Sequence, residues 1–87
     1  MSQAVLELRY SAEVLRTLRR LNKRNLIRQK IEELASGPES QHANVVRLHG
    51  RSDFRLRVQD WRAIFRIEGQ ILWIDKILPR GSAYEVI

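Results

Sequence analysis

The chain has 87 residues, enough for one small domain spanning 1–87 and too few for a second hydrophobic core. Its 44% hydrophobic content supports a folded core, and charged residues of both signs argue against a disordered tail. The absence of cysteine rules out disulfides and thiolate metal sites, and nothing in the sequence calls for a metal or another cofactor.

Sixteen Lys and Arg against ten Asp and Glu leave a formal charge of +6. Such a surplus serves either plain solubility or an anionic partner such as nucleic acid, a membrane surface or an acidic protein. Distribution favours a partner: thirteen of the sixteen cations are arginine, and six of those lie between Arg47 and Arg66. No apolar run approaches the roughly 20 residues that span a bilayer, and the N-terminus shows no charged-then-apolar leader. The expectation is a cytoplasmic protein with no membrane partner.

Ala4 to Tyr10 alternates, with Leu6, Leu8 and Tyr10 on one face, which predicts a first strand. Ser11 is placed to cap a helix whose first turn holds Glu13, and Val14, Leu15, Leu18 and Leu21 recur at helical spacing. Asn22 to Asn25 interrupts the rhythm. A second helical stripe follows in Leu26, Ile27, Ile31, Leu34 and Ala35, and Ser36-Gly37-Pro38 stops it, with Gly37 suited to a left-handed cap. The outer helix faces carry Arg16, Arg19, Arg20, Lys23, Arg24 and Arg28, a row read first as a solvated surface.

After a polar loop over 38–44, Val45 to Leu48 predicts a short strand and residues 49–53 a turn. Phe54–Val58 and Trp61–Ile67 then alternate arginine with apolar residues around a tight polar turn. On this reading Leu56 and Val58, with Trp61, Ala63, Phe65 and Ile67, face the core. Arg55 and Arg57, with Arg62, Ile64 and Arg66, face the other way. Arginine keeps its charge in a protein, and its fork suits phosphate, so that face reads as a surface for a polyanion. Glu68-Gly69-Gln70 makes another turn, and Ile71–Leu78, the most apolar strand, is expected at the centre of the sheet. Trp61 and Trp73 are expected in the core rather than as stacking platforms, and His42 and His49 at the surface. The adjacent Asp75 and Lys76 have no evident reason to share an interior strand.

The predicted architecture is α+β, with order β-α-α-β-β-β-β. It is a small, twisted, mostly antiparallel sheet of four to five strands with two N-terminal helices packed on one face.

In this order the segments resemble the RelE/ParE superfamily of bacterial toxins, and the RelE branch in particular. The resemblance rests on Val46-Arg47-Leu48-His49-Gly50, on Phe54-Arg55-Leu56-Arg57, on Asp60-Trp61-Arg62-Ala63-Ile64-Phe65-Arg66-Ile67, and on Leu78-Pro79-Arg80-Gly81-Ser82-Ala83-Tyr84. It covers nearly the whole chain.

The resemblance implies a toxin that cuts messenger RNA in the ribosomal A site. There the ribose 2′-hydroxyl attacks the adjacent phosphate and leaves a cyclic phosphate end. It also implies a cognate antitoxin, the ribosome with its messenger RNA as target, and operator DNA reached only through the antitoxin complex. Carried over by position, the catalytic candidates are Arg55, Arg57, Arg62, Arg80 and Tyr84, with Lys23, Arg24, Arg47 and Arg51 as RNA contacts.

Charge builds on the non-bridging oxygens during phosphoryl transfer, so a fixed cluster of cations there lowers the barrier. Some relatives carry lysine at the positions of Arg55 and Arg57, and lysine can serve as a base. Arginine cannot, which leaves Tyr84, the RNA itself or a ribosomal group for that role. Pro79 also departs from the family's usual polar residue before the arginine. Two further readings stay open: a ParE-like toxin that inhibits a DNA topoisomerase without cutting RNA, and an inert homologue kept for binding its antitoxin.

Overall fold

The computed structural model describes residues 5–37, 44–48, 50 and 52–81. They form β1 (Glu7–Tyr10), α1 (Ala12–Arg20), α2 (Arg24–Ser36), β2 (Val45–Arg47), β3 (Phe54–Val58), β4 (Trp61–Glu68) and β5 (Ile71–Pro79). The five strands make one sheet in the order β1-β5-β4-β3-β2. All pairings are antiparallel except that of β1 with β5, which is parallel. This is the α+β arrangement and element order that the periodicities predict.

Ser11 caps α1 as expected. Its hydroxyl accepts from the Val14 N–H at 3.1 Å and donates to the Asp75 carbonyl at 3.1 Å, tying the helix start to β5. Val14 and Leu18 are the buried residues of α1, and Ile27, Ile31, Leu34 and Ala35 those of α2. They cover one face of the sheet, where Leu56, Val58, Ala63, Phe65, Leu72, Ile74 and Ile77 complete the core. Phe54 stacks on Phe65 with ring centroids 5.4 Å apart. Neither helix is long enough to persist alone in water, so this shared apolar face stabilises both.

Several local expectations need correction. Ile67 is 40% exposed rather than buried. β3 begins at Phe54, opposite Phe65, so the last turn of β4 runs past its neighbour and pairs with β5 alone. Leu8 is half-buried.

Ile64 and Arg62, assigned to an open face, are 1% and 6% exposed. Ile64 lies outside the helix-side core and is flanked in register by Arg55 and Lys76. A register shift between Ile64 and Phe65 leaves Asp75 unpaired on β5. β5 is an interior strand between β1 and β4, but β4 is the central one. Gly37 ends α2 in extended backbone (φ −159°) instead of a left-handed cap, with its N–H bonded to the Glu33 carbonyl at 3.0 Å. Trp61 packs half-buried against the core as expected, whereas Trp73 is half-buried outside it.

Asp75 and Lys76 also find their reason. Arg66 Nη1 donates to both Asp75 oxygens at 3.0 and 3.2 Å, and its guanidinium lies over the Trp73 ring, 5.3 Å from the centroid. Lys76 pairs with Glu13 of α1 at 3.7 Å. Among the described residues no helix is long and apolar enough to cross a membrane. His42 and His49 lie outside the described residues.

Candidate functional site

The site grows from the tight connection between β3 and β4. Gln59 sits in the left-handed region (φ 55°), a conformation that is costly for any residue other than glycine. Arg62 holds it there: its Nη1 donates to the Gln59 carbonyl at 2.7 Å and to the Trp61 carbonyl at 2.8 Å. On the far side of the turn, the Arg80 N–H donates to the Asp60 carbonyl at 2.8 Å. A two-residue turn that no glycine relaxes is thus braced by two arginines, one through its side chain and one through its backbone.

Strand register then gathers the cations. Arg57 lies opposite Arg62, Arg62 opposite Leu78 and Trp61 opposite Pro79, so Arg80 emerges beside the turn where β5 ends. These arginines line a groove of about 510 Å³ at the end of the sheet. Val58, Gln59 and Asp60 of the hairpin line it as well, with Asn44 beside Arg57, and α2 contributes Leu26 and Lys30. Among the described residues the lining holds four cations, Lys30, Arg57, Arg62 and Arg80, and one carboxylate, that of Asp60. Arg57 is exposed and reaches Asn44 Oδ1 at 3.4 Å, a long contact that leaves its guanidinium ready for another acceptor. Of the lining groups, Lys30 and Asp60 can exchange a proton; arginine cannot.

The predicted site residues separate in space. Arg57, Arg62 and Arg80 come together in the groove. Arg55 shares a strand face with Arg57 but lies opposite Val46 and Ile64, half-buried and away from the groove wall. Lys23 and Arg24 stand exposed at the start of α2, with Arg24 Nη1 donating to the Arg19 carbonyl at 3.4 Å. Arg47 is exposed on the edge strand β2. Tyr84 and Arg51 lie outside the described residues.

Sequence reasoning missed Lys30, Leu26, Asn44 and Asp60. The α2 stripe shows that Lys30 lies one turn beyond Leu26, but nothing in that stripe says which sheet end it overhangs.

The pKa shifts lie away from the groove. Burial pushes the Asp75 carboxyl above its usual range, more than Arg66 lowers it, with Asp53 and Glu68 adding to the rise. Burial likewise raises the Tyr10 phenol, against a lowering by Arg28, whose guanidinium lies 5.3 Å from the ring centroid. No three His, Asp or Glu side chains gather as a metal site among the described residues.

Three solved structures share this architecture. The archaeal RelE–RelB complex from Pyrococcus horikoshii OT3 matches with a TM-score of 0.76 and 22% identity, over 88% of this chain and 97% of that one. The RelB–RelE antitoxin–toxin complex from Methanococcus jannaschii matches with 0.69 and 18% identity, over 90% and 96%. The toxin–antitoxin complex RelBE2 from Mycobacterium tuberculosis matches with 0.62 and 22% identity, over 86% and 98%. At these identities the likeness establishes the fold. No curated protein matches the chain significantly.

A family model does match, that of the ParE toxin of type II toxin–antitoxin systems, over residues 8–84. That span takes in both helices, all but the first residue of β1, and the three groove arginines. With the sheet order and the family match in agreement, the chain belongs to the ParE toxin family of type II toxin–antitoxin systems, within the RelE/ParE superfamily.

Proposed function

We propose that this toxin acts on RNA as a ribosome-dependent endoribonuclease, cutting messenger RNA and so stopping translation. One observation carries the reading: Arg57 of β3, Arg62 of β4, Arg80 just past β5 and Lys30 of α2 line one open groove, with one carboxylate among its described lining residues. A phosphodiester bound there presents its non-bridging oxygens to Arg57 and Arg80. As the 2′-hydroxyl attacks, the growing negative charge meets cations already in place, an effect worth roughly 2–4 kcal/mol per well-placed donor. Arg62 adds its charge from beneath while holding the turn. The groove's arginines cannot take up a proton, which favours action on the ribosome, where RNA geometry and ribosomal groups can supply that step.

The partner that fits this surface is a cognate antitoxin with an acidic or amphipathic segment. The three structural neighbours are themselves complexes with RelB proteins, and a +6 chain with an open cationic groove favours being covered. A second reading, implied by the resemblance to ParE toxins and kept open by the match to a ParE family model, is inhibition of a DNA topoisomerase without RNA cleavage.

Mapping messenger RNA 5′ ends after brief induction tests the choice. New ends within open reading frames are expected with the wild type and not with Arg57→Ala or Arg80→Ala. Intact messenger RNA together with a loss of DNA supercoiling activity in the same cells would move the assignment to the topoisomerase.

A further inference from the structure

We infer that α2 supplies the substrate-positioning wall of the groove: Lys30 binds a phosphate and Leu26 supports the ribose or base of the same nucleotide. The inference rests on the RNA reading above and deepens it. Leu26 and Lys30 are one helical turn apart, so their side chains stand side by side on one stripe of α2, and both line the groove. Leu26 is half-buried and packs against the core, which fixes its position and leaves its remaining surface as an apolar shelf.

Lys30 is half-buried along its length, and its ammonium lies 3.6 Å from Glu33. A pair this long and this exposed contributes little to stability, so a phosphate can take the ammonium with little loss. Arg57, held by one 3.4 Å contact, and Arg80, whose backbone is anchored to Asp60, line the same groove. The lining from α2 is thus mixed apolar and cationic, while that from the sheet is cationic and polar. At about 510 Å³ the groove has the size of a cleft for one small ligand. The occupant that matches both walls is one nucleotide unit of a single strand, with its phosphate between Lys30 and the two arginines and its sugar or base against Leu26.

The test reads binding without cleavage, using a short 2′-O-methyl oligoribonucleotide that lacks the attacking hydroxyl. Affinity is measured across a salt series by fluorescence anisotropy. Each lost phosphate contact lowers the slope of log affinity against log salt by about 0.7 on a single strand. Lys30→Gln is expected to show that drop and Lys30→Arg to restore it. Leu26→Ala is expected to weaken binding a few-fold at every salt concentration with the slope unchanged, its folding being checked by thermal unfolding.

Arg16→Gln, on the outer face of α1, removes a charge away from the groove and should leave the slope near wild type. An equal drop for Arg16→Gln and Lys30→Gln would overturn the inference, because general charge would then explain both. An unchanged slope for Lys30→Gln beside reduced slopes for Arg57→Gln and Arg80→Gln would also overturn it while leaving the RNA reading standing. Unchanged slopes for all of these groove variants would overturn both, whereas no binding by the wild type would overturn the inference and leave the ribosome-dependent reading to the messenger RNA end mapping.

Discussion

Arg62 and Arg66 stand four residues apart on β4, were assigned to the same face from alternation, and are used in opposite ways. Arg66 is neutralised where it stands: Asp75 takes it at 3.0 Å, Glu68 at 3.1 Å, and Trp73 lies beneath its guanidinium. Arg62 is only 6% exposed and donates to the carbonyls of a turn beside an open groove, whose described lining adds three more cations and one carboxylate. One end of the strand is an ion-pair network, and the other borders a groove whose described lining holds more cations than carboxylates. An arginine count along a strand therefore says little about function. What its neighbours contribute decides whether a cation stabilises the fold or meets a ligand.

That contrast can be broken experimentally, and the largest effect is expected at the groove. Arg57→Ala and Arg80→Ala should each lower single-turnover cleavage on programmed ribosomes by about a hundredfold or more, with wild-type unfolding curves. Wild-type-like cleavage by both variants would show that the chemistry lies elsewhere. Arg62→Ala is expected to act on both levels. Besides lost activity, urea unfolding should show a loss of about 1–3 kcal/mol, because two turn carbonyls lose their donor and Gln59 its brace. Unchanged stability would remove the bracing role.

At the paired end the expected effects are smaller and confined to stability. Arg66→Ala should cost below about 1 kcal/mol and leave cleavage intact, since its partners are partly exposed. Asp75 gives that end a pH signature. Its carboxyl is raised in the folded state, so the fold binds this proton more tightly than the unfolded chain does. Its contribution is fully present below the ordinary value of 3.8 and is lost as pH rises through the raised folded value. Stability of the wild type relative to Asp75→Asn should therefore fall with rising pH across that window, as measured by denaturant unfolding at several pH values. A difference that grows with pH would reverse the sign. The smallest effect is expected at Gln59→Gly, which relieves the left-handed backbone and should raise stability by up to about 1 kcal/mol.

Legibility in the sequence followed the range of the interactions. Helix stripes such as Val14/Leu18 and Ile27/Ile31/Leu34 were readable because a helix buries one face of itself, whatever it packs against. The Ser11 cap was readable because its partner, the Val14 N–H, is three residues away. Ile67 was misread because its exposure depends on where β3 begins, not on β4's own alternation. Asp75 was unreadable because its partner is reached across the β4–β5 pairing, at a register shift that periodicity does not encode.

For the site, the sequence by itself determined the cation-rich β3–β4 hairpin and the arginine after β5, since the identity and order of residues are local facts. It also determined the fold class, through the succession of periods 2 and 3.6. Only the tertiary structure decided that Arg57, Arg62 and Arg80 meet at one end of the sheet while Arg55 stands apart from it. It likewise decided that Arg62 is buried and that Lys30 of α2 lines the same groove. The reason is geometric. A strand's alternation fixes which face a side chain takes, but pairing register and helix docking fix which ends coincide, and those arise between segments far apart in the chain.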